Sequence, residues 1–230
     1  MNNEIPVSRE LKIPDYKGVV FDVDGTLLDS MPIWESVAAD YLRTRGIMPK
    51  PKINEELFAL GGHEIPAYFR AEYGLRETAE VINRGMYELL EEFYFFSAQL
   101  KEGVAVVLET LRKSGVKMCV ATATDKCLIE PALKRCGILD YFGYIFTCGE
   151  EETSKHSPDI YIRAAAFLDN EIPDTLVVED ALYAMKSAKR AGFPVAAVYD
   201  RSARDKQDEI KKVCDYYFVS MDEMLPLFPI

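Results

Sequence analysis

Two aspartates stand two residues apart where an apolar run ends: Val19-Val20-Phe21-Asp22-Val23-Asp24-Gly25-Thr26-Leu27-Leu28-Asp29-Ser30. Val19 to Phe21 reads as a buried strand. While the chain stays extended, positions i and i+2 point to the same side, so Asp22 and Asp24 face one cavity and Val23 faces away. Gly25 allows a sharp backbone turn, and Thr26 adds a hydroxyl to it. A second apolar run ends in acids at Thr175-Leu176-Val177-Val178-Glu179-Asp180. A third, Val116 to Ala121, runs into Thr122-Ala123-Thr124, where a hydroxyl can donate a hydrogen bond to a phosphoryl oxygen. Lys155 lies in a polar loop ahead of Pro158-Asp159 and a helix. Singly, these features have ordinary readings: an acidic turn, a turn threonine, a solvated lysine. Several carboxylates and a phosphate, however, cannot gather without cations. Like charges ~4 Å apart repel by ~4 kcal/mol even at an effective dielectric of ~20. Lys155 is the candidate point charge.

The elements that must hold these residues follow from hydrophobic period. The first strand is expected over Tyr16 to Val23. From Met31 the period changes: Trp34, Val37, Ala38, Tyr41 and Leu42 form one apolar helical face. Gly46 is a plausible stop for that helix. Glu55–Leu60, Ile65–Glu72 and Thr78–Phe96 read as further helices, and no strand pattern occurs between 31 and 96. After Gly103 strands alternate with helices. Strands are expected at Val116–Ala121, Tyr144–Thr147, Thr175–Val178, Val195–Val198 and Tyr216–Val219. Helices fall between them, including Leu128–Cys136, Pro158–Leu168, Leu182–Ala191 and Asp205–Val213. Alternation of this kind predicts an α/β fold, a Rossmann-like parallel sheet with right-handed crossovers and helices on both faces. In such a sheet, sites form beyond the carboxyl ends of the strands. The expected domains are a core of residues 1–30 and 97–230 and an inserted all-helical unit of residues 31–96.

Composition narrows the partners. The chain is 49% hydrophobic and 28% charged, ordinary for a soluble globular protein. No stretch approaches the ~18 consecutive apolar residues of a membrane span. The N-terminus has neither a basic n-region nor an apolar h-region. Five scattered cysteines without a Cys-x-x-Cys pair read as reduced thiols of a cytoplasmic protein. A net charge of −11 disfavours nucleic acid and anionic membrane as partners. An anionic substrate must then be held by a few local cations and a metal.

The string Asp22-Val23-Asp24-Gly25-Thr26 resembles the first motif of the haloacid dehalogenase superfamily in its phosphatase form. Its continuation resembles the phosphoglycolate-phosphatase-like and β-phosphoglucomutase-like subfamily. Thr122 falls on the family's second motif. Lys155 falls on the third, usually Lys-Pro-x-Pro-Asp, with His156 in place of the first proline. Glu179-Asp180-Ala181-Leu182-Tyr183-Ala184 resembles the fourth, with Ala where the family has Ser and the first Gly. The resemblance implies that Asp22 is the nucleophile taking the phosphoryl group and Asp24 the general acid/base. Thr122 and Lys155 would stabilise the phosphoryl oxygens. Asp22, Asp24 through its backbone carbonyl, Glu179 and Asp180 would hold Mg²⁺, which suits oxygen-only ligands. It implies a helical cap over 31–96 and a small phosphorylated metabolite as substrate.

Within the cap, Ser30–Trp34 and Leu60-Gly61-Gly62-His63-Glu64 are expected to face the site. Trp34 stands where the mutase branch carries a His, and reads equally as cap core or as a stacking surface. Arg70, Arg76 and Arg84 are candidate substrate contacts, and His156 reads as a loop residue. The leading expectation is a Mg²⁺-dependent phosphatase. The alternatives are a sugar-phosphate mutase on the same core and an inactive binding protein on the same fold.

Overall fold

A computed structural model describes residues 15–51, 53–58 and 64–228 of the chain. Six parallel strands form one sheet in the order β3-β2-β1-β4-β5-β6. They are β1 (Gly18–Phe21), β2 (Lys117–Thr122), β3 (Ile145–Thr147), β4 (Thr175–Glu179), β5 (Val195–Val198) and β6 (Tyr216–Phe218). Every apolar run read as a strand is one. β1 lies between β2 and β4 and is buried along its whole length. An unbroken apolar run is what a strand covered on both faces requires. Alternate side chains feed opposite layers. Val19 and Phe21 join the larger core with helices α5 (Val104–Lys113) and α6 (Lys126–Arg135). Val20 joins the other core with α7 (Asp159–Phe167) and α8 (Leu182–Arg190). The final helix, α9 (Gln207–Val213), follows a 3-10 turn at Arg201–Lys206, so the expected helix from Asp205 starts two residues late.

β1 is shorter than its expected span of Tyr16 to Val23. The ladder continues one residue past it, with the Asp22 N–H donating to the Val178 carbonyl at 3.0 Å. The chain then turns: the amides of Thr26, Leu27 and Leu28 all donate to the Val23 carbonyl. Gly25 sits in this turn at φ +77°, a left-handed conformation glycine adopts without strain. A Cβ there would lie 2.4 Å from Asp180 Oδ2, so the turn and the end of β4 are pressed together.

Among the described residues between β1 and α5 the named elements are helices: α1 (Met31–Thr44), α2 (Ile53–Phe58), α3 (Ile65–Tyr73) and α4 (Ala79–Glu92), with a π turn after the last. They share a core of their own that includes Ala38, Tyr41, Leu42, Phe69 and Ile82. Tyr41 stacks on Phe69 with ring planes 1° apart. The expected helix Thr78–Phe96 departs from its period at Phe93. There α4 passes into a π-helical turn, Phe93–Ser97, closed by the Ala98 N–H on the Phe93 carbonyl. A π turn holds an extra residue and rotates the side chains that follow. Tyr94 is fully buried and Phe96 mostly exposed.

The two connections between helical segment and sheet run side by side. Leu28 and Leu100 form an antiparallel bridge, the Asp29 N–H donates to Gln99 O at 2.9 Å, and Lys101 N–H to Leu27 O at 3.0 Å. Lys101 Nζ then binds Asp200 Oδ2 at 2.7 Å and the Tyr199 carbonyl at 2.8 Å, which ties the second connection to the end of β5.

Gly85 of α4 faces α1, and a Cβ there would lie 2.4 Å from Tyr41 Cε2. Alanine would gain about 1 kcal/mol of helix propensity over glycine. Overpacking costs about 1–3 kcal/mol, and the Tyr41 ring is buried and held against Phe69. Gly85→Ala is therefore expected to lose about 1 kcal/mol net in urea unfolding, the clash outweighing the propensity. A stabilised variant would show that the ring moves freely.

Candidate active site

The carboxyl ends of β1, β2 and β4 bring the sequence-predicted acids and hydroxyls together. Asp22 follows β1, Thr122 ends β2, and Glu179-Asp180 ends β4. Lys155 arrives from the loop before α7 and is buried despite its charge. Its ammonium binds the Asp22 carboxylate and, at 2.7 Å, Glu179 Oε1. Glu179 is held further by the Tyr161 hydroxyl on Oε1 at 2.7 Å and the Ala181 N–H on Oε2 at 3.3 Å. The backbone of the residue that replaces the family serine thus still serves this carboxylate. Asp180 receives no hydrogen bond from the described residues.

Asp22, Glu179 and Asp180 each offer one oxygen, and the three atoms lie within 4.8 Å of one another. One buried ammonium cannot balance three buried carboxylates. Burial pushes the Asp22 carboxyl up to about 8; Lys155 pulls the other way, while Glu179 and Asp24 add to the rise. Burial, then the charges of Asp22, Glu179 and Asp200, push Asp180 well above the ordinary carboxylate range. For Lys155 burial opposes the charge, but Asp22 and Glu179 outweigh it and hold the ammonium above its usual range. A crowded, oxygen-only, cation-poor cluster, with one carboxylate that has no donor among the described residues, fits a hard divalent cation such as Mg²⁺.

Asp24 stands apart from that trio. Its Oδ1 accepts from Ser30 Oγ at 2.6 Å and from the Tyr94 hydroxyl, and its Oδ2 from Thr124 Oγ1 at 2.6 Å. Asp22 and Asp24 are thus held by different elements: one by a lysine, the other by three hydroxyls. Thr122 is buried and its Oγ1 accepts from the Thr124 N–H at 3.1 Å. The buried Thr26 hydroxyl has no partner among the described residues.

Sequence reasoning missed Thr124, Tyr94 and Tyr161. Thr124 had a signal, since it repeats the hydroxyl of Thr122 two positions on. Tyr94 and Tyr161 had none, because an aromatic in an apolar helix reads as core. Trp34 is not core: it is 39% exposed, and its indole N–H donates to the Tyr94 hydroxyl at 2.8 Å. Leu60 to His63 lie outside the described residues. Arg70, Arg76 and Arg84 are exposed, and Arg84 binds Glu88 and Glu91. His156 is exposed and stacks on Tyr183 at 4.6 Å, in keeping with a loop residue. Among the described residues no helix is long and apolar enough to cross a membrane.

The chain is similar to known proteins. The chain is 28% identical over 184 residues to the phosphoglycolate phosphatase of Rhodobacter capsulatus, covering 76% of this chain and 81% of that protein. It is 26% identical over 181 residues to a phosphorylated carbohydrates phosphatase of Thermotoga maritima, covering 77% and 82%. A crystal structure from Thermotoga maritima, assigned as a beta-phosphoglucomutase, superposes with a TM-score of 0.80 at 20% identity, over 91% of this chain and 96% of that one. At that identity the likeness speaks for the fold alone. A family model for haloacid dehalogenase-like hydrolases matches residues 16–192, from the strand before Asp22 to the glycine that ends α8, and the chain belongs to that family.

Proposed function

We propose that this hydrolase is a Mg²⁺-dependent phosphatase of small phosphorylated metabolites, sugar phosphates among them, working in the cytoplasm through an aspartyl phosphate on Asp22. The observation that carries it is the buried Lys155–Asp22 contact beside Glu179 and Asp180, with Asp24 held separately by hydroxyls. The relatives named as phosphatases of phosphoglycolate and phosphorylated carbohydrates support the substrate class.

In this reading Asp22 attacks phosphorus in line with the leaving oxygen, and the P–O bond to the substrate breaks. Asp24 gives its proton to that oxygen, then takes one from the water that attacks the aspartyl phosphate. The second step returns the Asp22 carboxylate and releases inorganic phosphate. Lys155 offsets charge on the phosphoryl oxygens and Thr122 donates a hydrogen bond to one of them. Asp22, the Asp24 carbonyl, Glu179 and Asp180 would hold Mg²⁺. When bound, the metal supplies the positive charge that lets anionic substrate and carboxylates share the site. Glu179 already accepts three hydrogen bonds, which favours its acting through a water. Residues 31–96 serve as a cap domain that positions the substrate and excludes bulk water.

Asp22→Asn should keep the fold and lose at least about 10³-fold in turnover of an aryl phosphate, because an amide is a poor nucleophile. Retained turnover would move the nucleophile elsewhere.

Metal dependence has a pH signature. An unfolded aspartate loses its proton near pH ~3.9, whereas folded Asp22 keeps its proton up to about 8. Between those values the folded state binds a proton that the unfolded chain has lost, so stability of the metal-free protein falls as pH rises. Mg²⁺ opposes the same repulsion. Thermal unfolding with and without chelator should show a larger Mg²⁺-dependent rise in Tm at about pH 8 than at about pH 5. Chelation should also abolish phosphate release, and added Mg²⁺ should restore it. An equal gain in Tm at both pH values would count against a metal at these acids.

Trp34 bears on the mutase alternative, since the mutase branch has a His at that position. The inactive-protein alternative would leave a costly buried acid cluster without use. Incubation with β-glucose 1-phosphate, a trace of the 1,6-bisphosphate and Mg²⁺ should yield inorganic phosphate as the main product. Glucose 6-phosphate forming much faster than phosphate would make the protein a mutase.

A further inference from the structure

Tyr94 is buried at the start of the π turn, and its hydroxyl meets Asp24 Oδ1. The same hydroxyl oxygen accepts the Trp34 indole N–H at 2.8 Å. An indole N–H only donates, and a phenol has one proton and two lone pairs. Trp34 therefore occupies a lone pair of Tyr94, and the phenolic proton is left for Asp24. The chain of bonds has one direction, Trp34 to Tyr94 to Asp24. A phenol keeps its proton near neutral pH, so it remains a donor there.

The other two donors differ. Ser30 Oγ has a second acceptor, the Leu28 carbonyl at 3.5 Å, to which it can turn. Thr124 stands on the opposite oxygen, and it comes from the sheet side of the cavity. Tyr94 and Trp34 come from the helical segment, one close to each of its connections to the sheet. Tyr94 thus adds to Oδ1 a second donor that comes from the helical segment, beside Ser30.

We propose that Tyr94 is a positioning residue for Asp24, and that Trp34 acts one bond further out by setting the direction of the Tyr94 hydroxyl. The inference rests on the acid/base role assigned to Asp24 above. A carboxylate that must meet first a leaving oxygen and then a water gains from a fixed orientation, and a misplacement of ~1 Å costs up to ~10²-fold in rate. The helical segment thereby contributes directly to the acid of the core, through a phenol and not through substrate contacts alone.

The test is a double-mutant cycle with a second readout that needs no turnover. Tyr94→Phe should lower kcat by about 10- to 100-fold with KM changed by less than about twofold, since only a positioning bond is lost. Trp34→Phe should cost less, and should add almost nothing on top of Tyr94→Phe. Trp34 is the single tryptophan of the chain, so its emission reports the same bonds. Asp24→Asn should shift that emission in the Tyr94 protein and leave it unchanged in the Tyr94→Phe protein. Unaltered kcat in a folded Tyr94→Phe variant, additive effects of the two substitutions, or an emission shift that persists without the phenol would each overturn the proposal. If the wild-type protein released no phosphate from any ester tried, the phosphatase reading would fall, and the emission arm alone would decide whether the bond chain exists.

Discussion

The site depends on a shortage of positive charge. Three carboxylates, Asp22, Glu179 and Asp180, crowd the carboxyl end of the sheet with Lys155 as the ammonium among them. All four groups are buried, where unpaired charge is expensive. Every nearby arrangement works on this imbalance. Lys155 divides its bonds between two acids, Tyr161 and the Ala181 N–H share the load on Glu179, and Asp180 has no donor among the described residues. The space left by Gly25 lets Asp180 approach the first strand's turn at all. A protein meant only for stability would gain from replacing such a cluster with apolar groups. Its persistence in a tightly packed α/β core is intelligible as readiness for a cation and an anion together.

The acids were legible because they follow directly from apolar runs. A strand buried on both faces is nearly unmistakable in sequence, and the residue after it is placed by the strand. Asp22, Thr122, Glu179 and Asp180 belong to this class, while the edge strand β6 is only half-buried and was legible from its aromatic residues. Lys155 was legible through its spacing to Pro158-Asp159. Of the hydroxyls around Asp24, Ser30 lies in a stretch expected to face the site, whereas Tyr94 and Thr124 were not assigned to it. Tyr94 and Thr124 are distant from it in sequence, and their contacts arise from sheet order and from one π turn. No local period announces a π turn. The aromatic run Phe93-Tyr94-Phe95-Phe96 continued the helical reading smoothly, and only the folded chain shows Tyr94 turned inward. Trp34, which reads equally as cap core or as a stacking surface, stayed open for a related reason. It lies on the apolar stripe of α1 but near the helix start, outside the segment's own core, where its ring edge meets a polar partner.

Two architectures therefore meet at one carboxylate. The sheet supplies Asp24 with its backbone placement and with Thr124. The helical segment supplies Tyr94 and, behind it, Trp34. Placing side chains on strand ends gives them the precision of a rigid sheet, and adding donors from a separate packed unit makes that precision depend on how the unit sits.

The adjacent connections at Leu28 and Leu100 carry a consequence for how such a chain can change over time. The polypeptide leaves the sheet and re-enters it at points one backbone hydrogen bond apart, so to the core the entire helical segment is a closed loop. The entropy of closing a loop rises only with the logarithm of its length, by about 0.6 kcal/mol per doubling. Lengthening or shortening the segment away from its base thus costs the core little, provided the bridge at its neck and the packing of Leu90 and Tyr94 against the core are kept. Under the proposed function, substrate preference can diversify through the loop while the reaction chemistry stays where the strands end. The phenol that reaches back from the neck to Asp24 marks the point where that independence stops.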